Sequence, residues 1–154
     1  MIYSRSVEYA IRALVFLSQV PEGELAMARR IAQQENIPSY FLAKILQQLA
    51  RKGLLRSSKG PTGGFALRRG PEDIFLMDIV EALDGLADYE KCASGLAECN
   101  DHMPCGMHDS WKALRSRIIG YLEQTSIAEI TRALEEKRRA LAKPRRRRAA
   151  AKNK

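Results

Sequence analysis

The chain has 154 residues, of which 45% are hydrophobic and 29% charged, with a net charge of +8. A chain of this size buries one good core, and it contains no run of about 18 apolar residues that could cross a membrane. The N-terminal MIYSRSVEYA carries Glu8 and does not read as a signal peptide, so the expectation is a cytoplasmic protein with no membrane-spanning segment. The charge is unevenly spread. Residues 1–70 hold 11 Lys/Arg against 4 Asp/Glu, residues 71–142 hold 8 against 14, and residues 143–154 hold 7 against none. A basic first half points to a polyanion partner, with nucleic acid and acidic membrane both open on composition alone.

Ser4 to Gln19 reads as a first helix, with Val7, Ala10, Ile11, Leu14 and Leu17 at helical spacing and Ser4 as its cap. Pro21-Glu22-Gly23 stops it. A short second helix covers Ala28 to Gln34, and Asn36-Ile37-Pro38 forms a turn. Pro38 opens a third helix that runs to Arg51 and ends at Lys52-Gly53. Leu42, Ile45, Leu46 and Leu49 form its apolar stripe. Its other face is Ser39, Tyr40, Ala43, Lys44, Gln47, Gln48 and Arg51, with no acid. Such a face suits a DNA major groove, or plain solvent.

Leu54–Lys59 and Phe65–Arg68 alternate weakly around Gly60-Pro61-Thr62-Gly63-Gly64 and predict a hairpin. Helix, helix, recognition-like helix and hairpin is the order of a winged helix-turn-helix. Glycines at the hairpin tip let backbone N–H groups approach a phosphate. Asp73 to Asp84 predicts a further helix, with Leu76, Ile79, Val80 and Leu83 on one face and Gly85 at its end. Asp109 opens a long helix striped by Trp111, Leu114, Ile118, Tyr121 and Leu122, a pattern that resembles a helix–helix seam. Ser126 and Glu129 form a capping box for a last helix with Ile127, Ile130, Leu134 and Leu141. From Lys143-Pro144 onward the low-complexity PRRRRAAAKNK predicts a disordered basic tail.

Between these helices lies GLADYEKCASGLAECNDHMPCGMH, residues 85–108, without apolar periodicity. It holds all three cysteines, Cys92, Cys99 and Cys105, and both histidines, His102 and His108. An odd cysteine count in a reducing compartment favours ligation or reactivity over a structural bridge. Thiolates are strong ligands for zinc, iron and iron–sulfur clusters. By itself C-x6-C-x5-C is a weak signal, because short zinc sites usually contain closer pairs. No acid/base pair, phosphate-binding motif or C-x-x-C redox pair points to an enzyme.

The stretches YSRSVEYAIRAL, NIPSYFLAKILQQLARKGLL, GPTGGFAL, EDIFLMDIVEALDG, the three cysteines and PCGMHDSWKAL together resemble the Rrf-two family of winged-helix regulators. The likeness is to its iron–sulfur-cluster members, the IscR- and NsrR-like regulators. It runs from about Tyr3 to about Ala133. The resemblance implies a mostly α fold with a small β-hairpin wing, a winged helix-turn-helix plus a long C-terminal dimerisation helix. Residues 1–84 would form the DNA-binding domain, 85–108 the cluster loop, 109–142 the dimerisation and terminal helices, and 143–154 the tail. It implies a homodimer on an imperfect palindrome in double-stranded promoter DNA. The contacts carried over are Ser39, Tyr40, Lys44, Ser58, Lys59, Gly60, Pro61, Gly63 and Gly64. An acidic residue that influences promoter choice in IscR is matched here by Ala43, so that preference does not carry over.

The same resemblance implies one 2Fe–2S or 4Fe–4S cluster per subunit, held by Cys92, Cys99 and Cys105. Two fourth ligands are open: His108, and Glu8 reaching across the dimer, with Glu8 preferred and His102 a remote third. The expected function is a transcriptional regulator sensing nitric oxide, redox state or iron supply, most commonly as a repressor. The alternative is a zinc-binding or thiol-redox winged-helix regulator without a cluster.

Overall fold

Ser4 fixes where the first helix begins. In the computed structural model, which describes residues 2–142, its hydroxyl accepts the Val7 N–H at 3.3 Å. The basic tail from Lys143 lies outside the described residues. Helix α1 (Arg5–Ser18) buries Val7, Ala10, Ala13, Leu14 and Leu17 and runs through the centre of the molecule. Helix α2 (Ala28–Glu35) ends at Asn36, whose φ of +52° turns the chain sharply into α3 (Ser39–Arg51). Asparagine tolerates that left-handed conformation better than most residues. The predicted stripe of α3 is the observed one: Leu42, Ile45, Leu46 and Leu49 are all buried. Each such side chain contributes about 1.5–3 kcal/mol on full burial.

The wing is an antiparallel hairpin of β1 (Leu55–Ser58) and β2 (Gly64–Leu67), with Ser58 opposite Gly64. A feature the sequence did not announce anchors it. Ala26 and Phe65 form an isolated bridge, each N–H donating to the other's carbonyl at 2.9 and 2.8 Å. The wing is thus stitched to the strand-like entry of α2.

Helix α4 (Leu76–Leu83) starts later than the predicted Asp73, because Pro71–Asp73 winds as a separate 3-10 turn. The Asp78 carboxylate accepts the Phe75 N–H at 2.8 Å and fixes the new start. The segment expected to be an irregular loop contains a single short helix, α5 (Ala87–Glu90). Helix α6 (His108–Gln124) begins one residue before expectation. Helix α7 (Ile127–Ala142) has the predicted capping box: Ser126 Oγ accepts the Glu129 N–H, and Glu129 accepts the Ser126 N–H at 2.9 Å. Ser126→Ala should cost about 1 kcal/mol and lower the midpoint of thermal unfolding by about 2–4 °C.

The two C-terminal helices share the core of the first four. Leu122 and Ile127 are fully buried there with Leu14, Leu46 and Ile79. Backbone bonds from Leu76 to Thr125 and from Ile127 to Ile74 tie the starts of α4 and α7 together. Further along α7 the expected stripe leaves the core, and Leu141 is 77% exposed. Among the described residues no helix is long and apolar enough to cross a membrane.

Candidate metal centre and nucleic-acid interface

Two clasps hold the stretch that leads into the cysteine segment. At its root, Asp84 accepts the Ser4 N–H at 2.8 Å and the Ser4 hydroxyl at 2.5 Å. Gly85 then takes a φ of +77°, which glycine adopts at little cost. Tyr89 OH donates to the Ile2 carbonyl. From the other side, Trp111 Nε1 on α6 donates to the Lys91 carbonyl at 3.0 Å, and Arg115 reaches the Tyr89 carbonyl at 3.4 Å, so both clasps hold residues 84–91, ahead of the first cysteine. The clasps join this stretch to the start of α1 and to α6.

Within the segment all three cysteines are free and half-buried. Backbone hydrogen bonds at Ser94 and Leu96 hold the Cys92 thiol below its ordinary range. Burial pushes the Cys99 thiol up, and the neighbouring Cys92 adds to the rise. Cys99 Sγ is 3.5 Å from His108 Nδ1, and Ser94 Oγ is 3.3 Å from Cys105 Sγ. His108, the first residue of α6, is 4% exposed. Its other nitrogen, Nε2, is 2.8 Å from Asp101 Oδ1. Lys112 Nζ lies 2.8 Å from both oxygens of that carboxylate. The Lys112 bond, and then the His108 bond, hold the Asp101 carboxyl below the usual carboxylate range. Among the described residues no three His, Cys, Asp or Glu side chains already stand as a ready-made ion cage.

The fold therefore brings His108 to Cys99 and lets Cys92 and Cys105 perturb that same thiol. It does not bring His102 there; that residue is exposed, its N–H bonded to Asn100 Oδ1. Glu8 lies elsewhere, on α1, 3.9 Å from Arg12. Asp101 and Lys112 escaped sequence reasoning. The available signal was Lys112 one turn beyond His108, on the same face of α6.

On α3, Ser39, Tyr40 and Lys44 present an exposed patch, with the Lys44 ammonium 4.4 Å from the Tyr40 ring centre. Ser58, Lys59, Gly60 and Pro61 are exposed at the wing. Gly63 is buried under the turn and Gly64 half-buried against Ala26. Gln48, expected on the outward face of α3, turns inward instead and donates to the Ala82 carbonyl at 3.0 Å. A groove between α3 and the wing is lined by Gln47, Arg51, Arg56, Lys59 and Arg68.

A turn-linked helix pair with an exposed second helix, flanked by a two-stranded wing, defines a winged helix-turn-helix protein of the DNA-binding regulator class. The chain belongs to the Rrf2 family, described as iron-dependent transcriptional regulators, whose sequence profile matches residues 3–133. It is 35% identical over 139 residues to a protein of Aquifex aeolicus described as an HTH-type transcriptional regulator, covering 89% of this chain and 95% of that one. It is 30% identical to the HTH-type transcriptional regulator IscR of Photobacterium profundum, over 80% of this chain and 72% of the relative. The solved structure of T. potens IscR shares its fold, with a TM-score of 0.70 and 23% identity, covering 87% and 88% of the two chains. This protein is a transcriptional regulator and not an enzyme.

Proposed function

We propose that this chain is a homodimeric regulator whose hold on an imperfect promoter palindrome is set by an iron–sulfur cluster bound at Cys92, Cys99 and Cys105, with His108 as the fourth ligand. The observation that carries this reading is the 3.5 Å approach of His108 Nδ1 to Cys99 Sγ, on a segment whose entry is clasped to Ser4 and to α6. The donor set fits the group: three free thiols, one favoured as thiolate by backbone N–H groups, and a buried imidazole beside them. When bound, the cluster would supply an iron whose single nitrogen ligand is more open to nitric oxide, oxidation or loss than a thiolate.

The residues around it carry the message. Asp84 holds Ser4, and Ser4 caps the helix that packs against α3. A change in the segment therefore bears on α1, and through it on the spacing of two reading heads. Palindromic half-sites demand recognition helices about 34–36 Å apart. In the dimer, the exposed stripe of α6, with Leu114 at 51% and Tyr121 at 49% exposed, is the surface that would meet its copy. Within one chain the geometry favours His108 over Glu8. Glu8 would serve only by reaching the partner's cluster.

Anaerobic purification tests the reading. A coloured protein with matched iron and sulfide supports it, and their ratio separates 2Fe–2S from 4Fe–4S. A colourless protein, with zinc or without metal even after reconstitution, overturns it in favour of a zinc or thiol regulator.

Ser39, Tyr40 and Lys44 would face the major groove, and Ser58, Lys59, Gly60 and Pro61 the flanking backbone, while the less exposed Gly63 and Gly64 would shape the turn that presents them. Each phosphate contact adds about 0.9 to the slope of log affinity against log salt. Lys59→Ala should therefore flatten that slope by nearly two units in a dimer, weakening all duplexes alike. Titrations at several salt concentrations check it.

A further inference from the structure

We propose that Asp101 is a positioning residue that fixes which nitrogen of His108 faces the cysteines, and that Lys112 fixes Asp101. This rests on the reading of His108 as a cluster ligand.

The buried imidazole has a different neighbour at each nitrogen: Cys99 Sγ at Nδ1 and Asp101 Oδ1 at Nε2. An ionised carboxylate can only accept, so the hydrogen of the neutral ring sits on Nε2. The Nδ1 lone pair is then left facing Cys99. Ligating histidines commonly donate their second ring N–H to a carboxylate in this way, which fixes the tautomer and strengthens the donor atom. Asp101 needs help to do so, because its side chain is 69% exposed and would otherwise sample many rotamers. Two features restrain it. Lys112 binds both of its oxygens, reaching from the same face of α6 as His108. On the loop side, Asn100 Oδ1 accepts the N–H groups of His102 and Met103 at 3.1 Å and tightens the turn that delivers Asp101. Histidine, aspartate and lysine thus form a closed brace between loop and helix. None of the three is among the proposed DNA contacts.

Two readouts test this. Nitrogen-15 shifts of histidine-labelled apo protein report the tautomer without any cluster, and the 2 histidines are distinguished with His102→Gln. The wild type should show hydrogen on Nε2 of His108, and Asp101→Ala should mix in the Nδ1–H form. In reconstituted protein, loss of cluster absorbance to an iron chelator should be about 10–100-fold faster in Asp101→Ala. Lys112→Met should lie between it and the wild type, and Asp101→Glu should recover part of the loss. An unchanged tautomer and an unchanged release rate in Asp101→Ala overturn the proposal. His108→Ala separates its failure from that of the ligand reading. If His108→Ala alters the cluster spectrum and Asp101→Ala alters nothing, the positioning role alone falls. If His108→Ala leaves the spectrum and iron retention unchanged, the ligand reading falls and the positioning role with it.

Discussion

Cys99→Ser should give a folded protein that binds promoter DNA but no longer answers its signal. Cys99 is the residue around which the others gather: Cys92 and Cys105 both perturb its thiol, and His108 stands 3.5 Å away. A serine hydroxyl at that position is a poor iron ligand, so iron and sulfide per chain should fall close to background. Stability should hardly change, because the cysteines lie outside the buried core. For the wild type, the duplex affinity of cluster-loaded and stripped protein should differ by roughly 5–150-fold, the range of ordinary coupling between sites. In Cys99→Ser the ratio should collapse to about one. A ratio that survives would place the sensor outside the segment.

Gly64→Val should do the reverse, sparing the proposed cluster site and crippling DNA binding. A β-carbon on Gly64 would lie 2.6 Å from the Ala26 carbonyl oxygen and 2.7 Å from its carbon. These are backbone atoms with no rotamer to yield, and the Gly64 φ of +154° is itself one that side chains rarely adopt. The wing must move, and the Ala26–Phe65 bridge must open with it. Losing two hydrogen bonds costs about 1–3 kcal/mol. A displaced wing also withdraws Ser58 and Lys59 from the backbone they would contact. Duplex affinity should drop at least about tenfold, while iron content and the absorption spectrum stay at wild-type values. Equal losses of both would mean that the substitution had unfolded the chain.

Features set by neighbours in sequence were legible before the structure. The Ser4 cap, the stripe of α3 and the Ser126–Glu129 box depend on residues three or four positions apart, where helical geometry makes the pattern visible. The start of α4 was less so, because Asp78 anchors Phe75 and leaves Asp73 in a turn of its own. Gln48 reads as an outward amide until α4 supplies a carbonyl for it. The bridge between Ala26 and Phe65 joins single residues far apart in the chain, and neither carries a motif. The site was half legible. Its cysteines and His108 stand out by type, but Asp101 is one acid among many until the fold sets it between His108 and Lys112.

The clasps at the entry of the cysteine segment bear on how such a regulator can diversify. Between Leu83 and His108 no described residue belongs to the buried core. The clasps act on residues 84–91, so the stretch from 92 to 107 can be rewritten without disturbing the packing of helices α1 to α4. Mutation could exchange the cysteines or alter their spacing, and natural selection would still be acting on a folded protein of the DNA-binding regulator class. One scaffold could in this way pass through many chemistries of sensing, each a short walk in sequence from the last.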